Sequence, residues 1–289
     1  TGQLYSVVKV LPVQDSATFY GLGSLIAIVF LAAGLLSSFF HLGHPERAWR
    51  SAARWRTSWL SREVIVLPAF MGMTALYGLI HYFGWNPVLF TFRETFEIDL
   101  SLLVGAATTV LAFTLFLCTA MIYACIKFLQ EWATPLTVVN YTLLGSASGF
   151  MLATGFASHQ GSELTAFYGG WAIILTVAAL VTRVSSLIRN SRIKYRSTLQ
   201  TAIGIRHDRI EQKAQGFMAG SFNTREYFHG ASPAVFSTIK WTFLIAVFPI
   251  PLFLLSLGLT ANVLLLFGMA FTIQYAGLLA ERWFFFAQS

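Results

Sequence analysis

The sequence is short of charged residues, and long stretches contain none at all. Asp, Glu, Lys and Arg make up 11% of the 289 residues, whereas a soluble domain carries about 25%. About 20 apolar residues in a helix cross the hydrocarbon core of a bilayer. Six stretches contain no charged residue; each of the first five has room for one such helix, and the last has room for two. They lie between Asp15 and Glu46, between Glu63 and Arg93, between Asp99 and Lys127, between Glu131 and Glu163, between Glu163 and Arg183, and between Lys240 and Glu281.

The sequence therefore predicts an all-α, polytopic transmembrane helix bundle that forms a single domain over residues 1–289. Helices suit the bilayer because they satisfy their backbone polar groups internally. Pro249 and Pro251 lie inside the sixth span, where we expect a kink and not an end. The seven predicted spans are 17–40, 64–84, 100–125, 135–157, 165–183, 236–257 and 262–284.

Cysteine is scarce as well. Cys118 and Cys125 fall in one predicted span, seven residues apart, and a disulfide cannot bridge that separation. The sequence lacks the cysteine-rich motifs that hold zinc or iron–sulfur clusters. We therefore expect no metal in this chain and place any such centre in a partner.

Acidic residues are fewer than basic ones, which gives the chain a net charge of +7. The basic residues lie in the loops between the spans. This placement indicates membrane topology and not nucleic-acid binding. Of the 19 Lys and Arg residues, all but Lys9 and Arg93 fall on the side that holds 41–63, 126–134, 184–235 and the C-terminus, with the adjoining span ends included. By the positive-inside rule that side is cytoplasmic. The tryptophans near the span ends are typical of an interfacial belt.

Ionisable residues gather at the predicted cytoplasmic ends of the spans, where such groups mark function or packed ion pairs. His41 is expected to donate a hydrogen bond to a quinone carbonyl, since quinone reduction needs a proton donor poised near neutral pH. Capping of the helix end is the alternative. His81 and His159 could in principle ligate haem, but we favour a structural role for both and expect no haem. The candidates for proton relay or for interhelical ion pairs are Arg62, Glu63, Glu281 and Arg282.

The segment 184–235 is basic but also contains apolar and aromatic residues. We expect it to be an ordered cytoplasmic docking segment. Contact between its arginines and anionic lipid is the alternative.

Several motifs resemble the quinone-binding membrane anchor of the DMSO reductase family (DmsC-type subunits), over essentially the whole chain. They are His41-Leu-Gly-x-Pro45-x-Arg47-Ala48, Leu60-Ser61-x-Glu63, Tyr123, and Ala276-Gly277 followed by Arg282 and Phe285. The family has an acid directly after Ala-Gly, where this chain has Leu278, and Glu281 is expected to replace it. The family's first helix has no counterpart here, so we expect one more span upstream, making eight.

The resemblance implies that this chain binds ubiquinone or menaquinone through His41, Gly43, His44, Pro45 and Arg47. It also implies two partners, an iron–sulfur subunit and a molybdopterin catalytic subunit, and location in a bacterial inner membrane. The chain would not itself act on the catalytic subunit's substrate. Because charge places His41 on the cytoplasmic side, the resemblance favours the branch of the family in which a cytoplasmic molybdoenzyme oxidises sulfite.

Three alternatives remain. The anchor could serve a reductase that takes electrons from quinol for a DMSO-type or polysulfide-type acceptor. A secondary transporter is a different class, although transporters usually place polar groups near the midplane. The chain could also be a purely structural anchor.

Overall fold

The computed structural model describes residues 14–40, 44–92, 96–194, 199–207 and 232–288. A π-helical turn, Ser16–Gly21, leads into the first helix, and a 3₁₀ helix, Pro45–Arg54, follows it. The α-helices are α1 Leu22–Phe39, α2 Trp59–Phe83, α3 Leu100–Ala124, α4 Pro135–His159, α5 Thr165–Ser191, α6 Leu199–Ile203, α7 Pro233–Val247, α8 Pro249–Ala261 and α9 Leu264–Ala287.

The predicted helical bundle is confirmed: the described residues include seven helical segments long and apolar enough to cross a membrane. The ends differ from the prediction where charges begin. Helix α2 starts at Trp59, before the predicted 64, and α5 continues to Ser191, past the predicted 183. Charged residues limit the apolar span but are good helix formers, so the helices extend beyond the hydrocarbon.

The sixth span is kinked, as predicted, at Phe248 between α7 and α8. Pro251 has no N–H to donate to the carbonyl of Val247, four residues earlier. The side chain of Gln274, on α9, supplies the missing donor, with its Nε2 3.3 Å from the Val247 oxygen. A neighbouring helix thus satisfies the carbonyl that the proline releases inside the membrane.

The connection between α2 and α3 contains a small antiparallel hairpin that the sequence analysis treated as a loop. Its strands are β1, Val88–Phe92, and β2, Phe96–Asp99. Asp99 then caps α3 by accepting a hydrogen bond from the backbone N–H of Leu102 at 2.7 Å.

The core lies mainly among α4, α5, α7, α8 and α9. One cluster of buried side chains surrounds Phe243 and Phe284, and a second surrounds Met151 and Phe267. Gly277 lets α9 approach α7 closely, because a Cβ there would lie 2.9 Å from the Ala246 carbonyl carbon.

One tryptophan departs from the predicted belt. Trp49 and Trp85 are exposed, as expected for interfacial residues, but Trp132 is buried. Its Nε1–H donates to the backbone carbonyl of Phe285 at 2.9 Å, and the two rings stack. Trp132 therefore fixes the start of α4 to the end of α9.

Candidate functional site

The candidate site is one end of the bundle, here called the rim. It is formed by the starts of α2 and α4 and the ends of α3, α5 and α9. Arg189 near the end of α5 donates to the carbonyl of Gln130 just before α4, at 2.9 Å. The rim thus brings together helix ends that are far apart in sequence.

The motif predicted to bind quinone is only partly described. His41 and Gly43 lie outside the described residues, and of Pro45 only the backbone is described, as the first residue of the 3₁₀ helix. His44 is exposed, with Nδ1 3.1 Å from Glu46 Oε1, and Arg47 Nε lies 3.6 Å from the same oxygen. These exposed contacts are local, and such pairs add little to stability.

Arg62 fastens the segment after the 3₁₀ helix to the start of α2. Its Nε donates to the carbonyl of Trp55 and its Nη2 to that of Arg56, both at 2.9 Å. The guanidinium also lies 4.1 Å from the centre of the Trp59 ring, within cation–π range. Arg62 therefore fixes the residues that follow the 3₁₀ helix against the start of α2.

Glu63, the next residue, turns into the bundle and is partly buried. Thr119 Oγ1, near the end of α3, donates a short hydrogen bond to Glu63 Oε1. Among the described residues this carboxyl group is thus held by a hydroxyl and not by a cation. Such a group can release or accept a proton without first breaking an ion pair.

Glu281 lies in a different setting, because two arginines contact it. It is fully buried, and Arg183, on α5, is 2% exposed. Arg183 Nη2 lies 2.7 Å from Glu281 Oε1, and Arg282 Nη2 lies 2.5 Å from Oε2. Arg183 on α5 is thus the ionic partner of Glu281 across the two helices, and Arg282 is its partner on α9 itself.

Aromatic rings surround the second arginine of this ion triad. The Arg282 guanidinium is 4.0 Å from the centre of the Tyr141 ring and 5.0 Å from that of Phe285. Tyr123 stacks on Tyr141 and meets Trp132 edge to face. The rings exclude water from one side of the charge, which strengthens the electrostatic contacts.

Among the described residues, the ion triad is one of three polar contacts that follow one another along α5 and α9, the last of them to Gln288 just after α9. The partners are separated by 98 positions and the contacts recur every seven residues, so the two helices run parallel in a fixed register. The contacts are Gln274 Nε2 to Thr176 Oγ1 at 3.3 Å, Arg183 to Glu281, and Asn190 Nδ2 to Gln288 Oε1 at 3.4 Å.

Sequence reasoning counted Arg183 only as a span-end charge and did not assign Tyr141 or Thr119 to the site. A signal for Arg183 was present in the spacing. The buried residues of α5 are three or four apart, which defines one face of a helix. They are Gly169, Ala172, Thr176, Ala179, Arg183 and Ser186.

Leu278, at the position where the family pattern has an acid, packs against the cluster of Phe243 and Phe284. Glu281 lies on the buried face of α9 instead. Glu281, three residues after Leu278, faces Arg183 on α5.

The two histidines considered for haem lie in unlike surroundings. His81 is buried, with Tyr20 and Tyr77 4.7 and 4.6 Å from its ring centre. His159, in the last turn of α4, is exposed. Among the described residues, no group of three or more His, Cys, Asp or Glu side chains could hold a metal ion.

Comparison with known proteins identifies the family. The family model described as DMSO reductase anchor subunit (DmsC) matches residues 15–287. The chain belongs to this family. A relative from Allochromatium vinosum, which is named as a subunit of sulfite dehydrogenase, is 53% identical over 289 residues, which are all of this chain and 89% of the relative. No solved structure matches the chain.

Proposed function

We propose that this DmsC-family chain is the quinone-binding anchor of a molybdopterin and iron–sulfur oxidoreductase, and that it passes electrons from cytoplasmic sulfite oxidation to the quinone pool. The observation that carries the proposal is the 53% identity, over the whole chain, to a protein named as a sulfite dehydrogenase subunit. The family match supports the role of membrane anchor.

Quinone, ubiquinone or menaquinone, is the substrate of this subunit. Its reduction to quinol takes two electrons, supplied by the partner's iron–sulfur clusters, and two protons. In the proposal His41 donates a hydrogen bond to one carbonyl of the quinone, and Gly43, His44, Pro45 and Arg47 shape the pocket.

Glu63 is the better candidate for proton delivery. Its carboxyl group is held by the hydroxyl of Thr119, whereas Glu281 is neutralised by Arg183 and Arg282. Glu281 would first have to take up a proton, and the neutral acid would leave Arg183 and Arg282 without their buried counter-charge, which is costly. In the proposal Glu281 and Arg282 stabilise the rim through their ion pair. Arg62 holds in place the chain that follows the histidine motif.

The proposal also includes partners and orientation. An iron–sulfur subunit and a molybdopterin subunit would dock at the rim and on the segment 184–235, on the cytoplasmic side of a bacterial inner membrane. Support comes from the excess of Lys and Arg in the segments on that side of the spans.

The central test replaces His41 with Ala in the intact complex. We expect quinone reduction driven by sulfite to be lost, because the hydrogen-bond donor is removed, while sulfite oxidation with an artificial soluble acceptor continues. The matched control is His159→Ala, an exposed histidine at the opposite end of the bundle. Unchanged quinone reduction in an intact His41→Ala complex would contradict the proposed site.

The family description itself favours a second candidate, an anchor that oxidises quinol for a reductase. A complex that oxidises quinol with a DMSO-type acceptor and does not oxidise sulfite would support this candidate. Labelling of a His44→Cys variant gives a separate answer on orientation. Reaction with a reagent that cannot enter the cell would place the rim outside and contradict the sulfite assignment.

A further inference from the structure

A basic groove runs along the outer face of α5 near its end, away from the buried ion triad. It has a volume of about 560 Å³ and is lined by Ser185, Ile188, Arg189, Arg192 and Ile193. These residues combine two guanidinium groups with apolar side chains in one open surface feature. An anion that carries hydrocarbon would match both parts of the groove.

The position of the groove along α5 matches the depth of lipid head groups. The helix has 27 residues, and at about 1.5 Å per residue it is about 40 Å long. The hydrocarbon core is about 30 Å thick. The surplus of about ten ångströms lies at the C-terminal end of α5, because the helix has no charged residue before Arg183. The groove lies in the last two turns of α5 and just beyond it, at this end.

The face of α5 below the groove is apolar and exposed. Ile174, Val177 and Val181 are 56%, 44% and 60% exposed, and their spacing continues through Ser185 and Ile188 to Arg192. Residues three and four apart share a helix face. An acyl chain lying on this face would place the phosphate of its head group at the groove.

The arginines of the groove are suited to receive a phosphate. Arg189 is held in place by hydrogen bonds from Nη1 to the Gln130 carbonyl and to Asn190 Oδ1, both at 2.9 Å. Arg192 is exposed. In the described part of the chain neither arginine forms an ion pair with an acidic side chain. Arginine binds phosphate through charge-assisted hydrogen bonds.

We propose that this groove binds the phosphate head group of an anionic phospholipid, with an acyl chain along the Ile174–Val181 face of α5. Charge complementarity selects the anionic head group, and the apolar face that continues into the hydrocarbon selects a lipid over an acidic protein segment. The groove takes up only the first residues of the segment 184–235, so the proposal leaves the remainder of that segment to the partner subunits. It is also independent of quinone binding.

The test measures lipid retention by the detergent-purified full complex with native mass spectrometry. We expect phosphatidylglycerol to be retained more strongly than phosphatidylcholine. Arg192→Gln should weaken phosphatidylglycerol retention about fivefold, since one basic residue near the surface contributes about 1 kcal/mol. The control is Arg50→Gln, an exposed arginine on the 3₁₀ helix, which should leave retention unchanged.

Each remaining outcome overturns the proposal. Equal retention of the two lipids would remove the role of charge. Undiminished retention of phosphatidylglycerol by the Arg192→Gln complex would remove the role of the groove. Displacement of the lipid by inorganic phosphate at millimolar concentration would indicate a site for free anions. Loss of partner subunits from the Arg192→Gln complex with unchanged lipid retention would identify a protein-docking surface.

Discussion

The first span and the later spans of the bundle differ sharply in how they are packed. In the most apolar window of Ala17–Phe39 6% of the residues are buried, against 33% for Pro233–Ala261. Two of the three core clusters lie in α4, α5 and α7–α9, and the third reaches only the start of the first span, at Phe19. The first span is therefore fastened mainly at the end opposite the rim.

This difference separates two kinds of polar site. The ion triad lies between well-packed helices, where its geometry is fixed by α5 and α9. The histidine motif follows the less packed end of α1, where Leu36 is 61% and Phe40 is 90% exposed. Regions with few buried contacts open at low energetic cost. In the proposed function a lipid-soluble quinone would enter and leave beside this less packed end of α1, whereas the later spans supply a rigid frame.

The largest effect is expected from removing the buried negative charge of Glu281, which lies among the well-packed later spans. Glu281→Gln would leave Arg183 and Arg282 without their buried counter-charge, and breaking such a pair costs about 3–5 kcal/mol. We expect a clearly lowered midpoint of thermal unfolding in detergent. Glu46→Gln, which removes an exposed pair with His44 and Arg47, should change the free energy of unfolding by less than about 1 kcal/mol.

If Glu281→Gln and Glu46→Gln lost the same amount of stability, the expected difference between the buried ion triad and the exposed ion pair would be contradicted. An undestabilised Glu281→Gln protein would show that the triad is dispensable for stability.

A smaller effect is expected when a phenylalanine is truncated in each of the two regions, the later spans and the first span. Phe267 is fully buried and packs against Gly258, where a Cβ would lie 2.7 Å from its ring. Phe30 on α1 is 40% exposed, and its ring forms T-shaped contacts with the rings of Phe271 and Tyr275. Phe267→Ala should cost about 3 kcal/mol, the lower end of the range for such a truncation, through the cavity it leaves. Phe30→Ala should cost less than half of that, because lipid replaces the lost contacts.

The measurement is thermal unfolding of the two variants in the same detergent. A Phe30→Ala variant as unstable as Phe267→Ala would mean that the first span is as tightly packed as the rest.

The smallest effect concerns the start of the first span. Asp15 accepts hydrogen bonds from the hydroxyl and the backbone N–H of Thr18, and these lower the pKa of its carboxyl group. A lowered pKa in the folded protein means that the stabilisation is present at neutral pH and is lost as pH falls through that pKa. Hydrogen exchange at Thr18, corrected for its intrinsic pH dependence, should therefore rise in acid. Asp15→Asn serves as the control, since it cannot titrate and its exchange should lack this acid dependence.

Much of the fold could be predicted from the sequence, because whether a segment spans the membrane depends on the composition of that segment alone. A bilayer requires about 20 consecutive apolar residues in a helix, so charge-free stretches alone predicted the seven membrane-spanning helical segments found among the described residues. The hairpin of β1 and β2 and the extension of α5 to Ser191 were missed, because neither depends on hydropathy.

The site was predicted only in part. Glu63, Glu281 and Arg282 were recognised as polar residues at span ends, but their partners were not. Thr119 is 56 positions from Glu63, and no local pattern connects the two. Trp132 resembled an interfacial residue until its hydrogen bond to Phe285 placed it in the interior.

The sequence by itself determined which seven segments of the described residues are long and apolar enough to cross a membrane, and which of their ends carry the positive charge. Both follow from the solvation of each segment separately. Only the tertiary structure decided that Arg183 and Glu281 meet while Glu63 pairs with a hydroxyl. Such contacts depend on the rotation and register of whole helices. Rotation and register are set by contacts between residues far apart in sequence, such as the partners across α5 and α9, which are 98 positions apart.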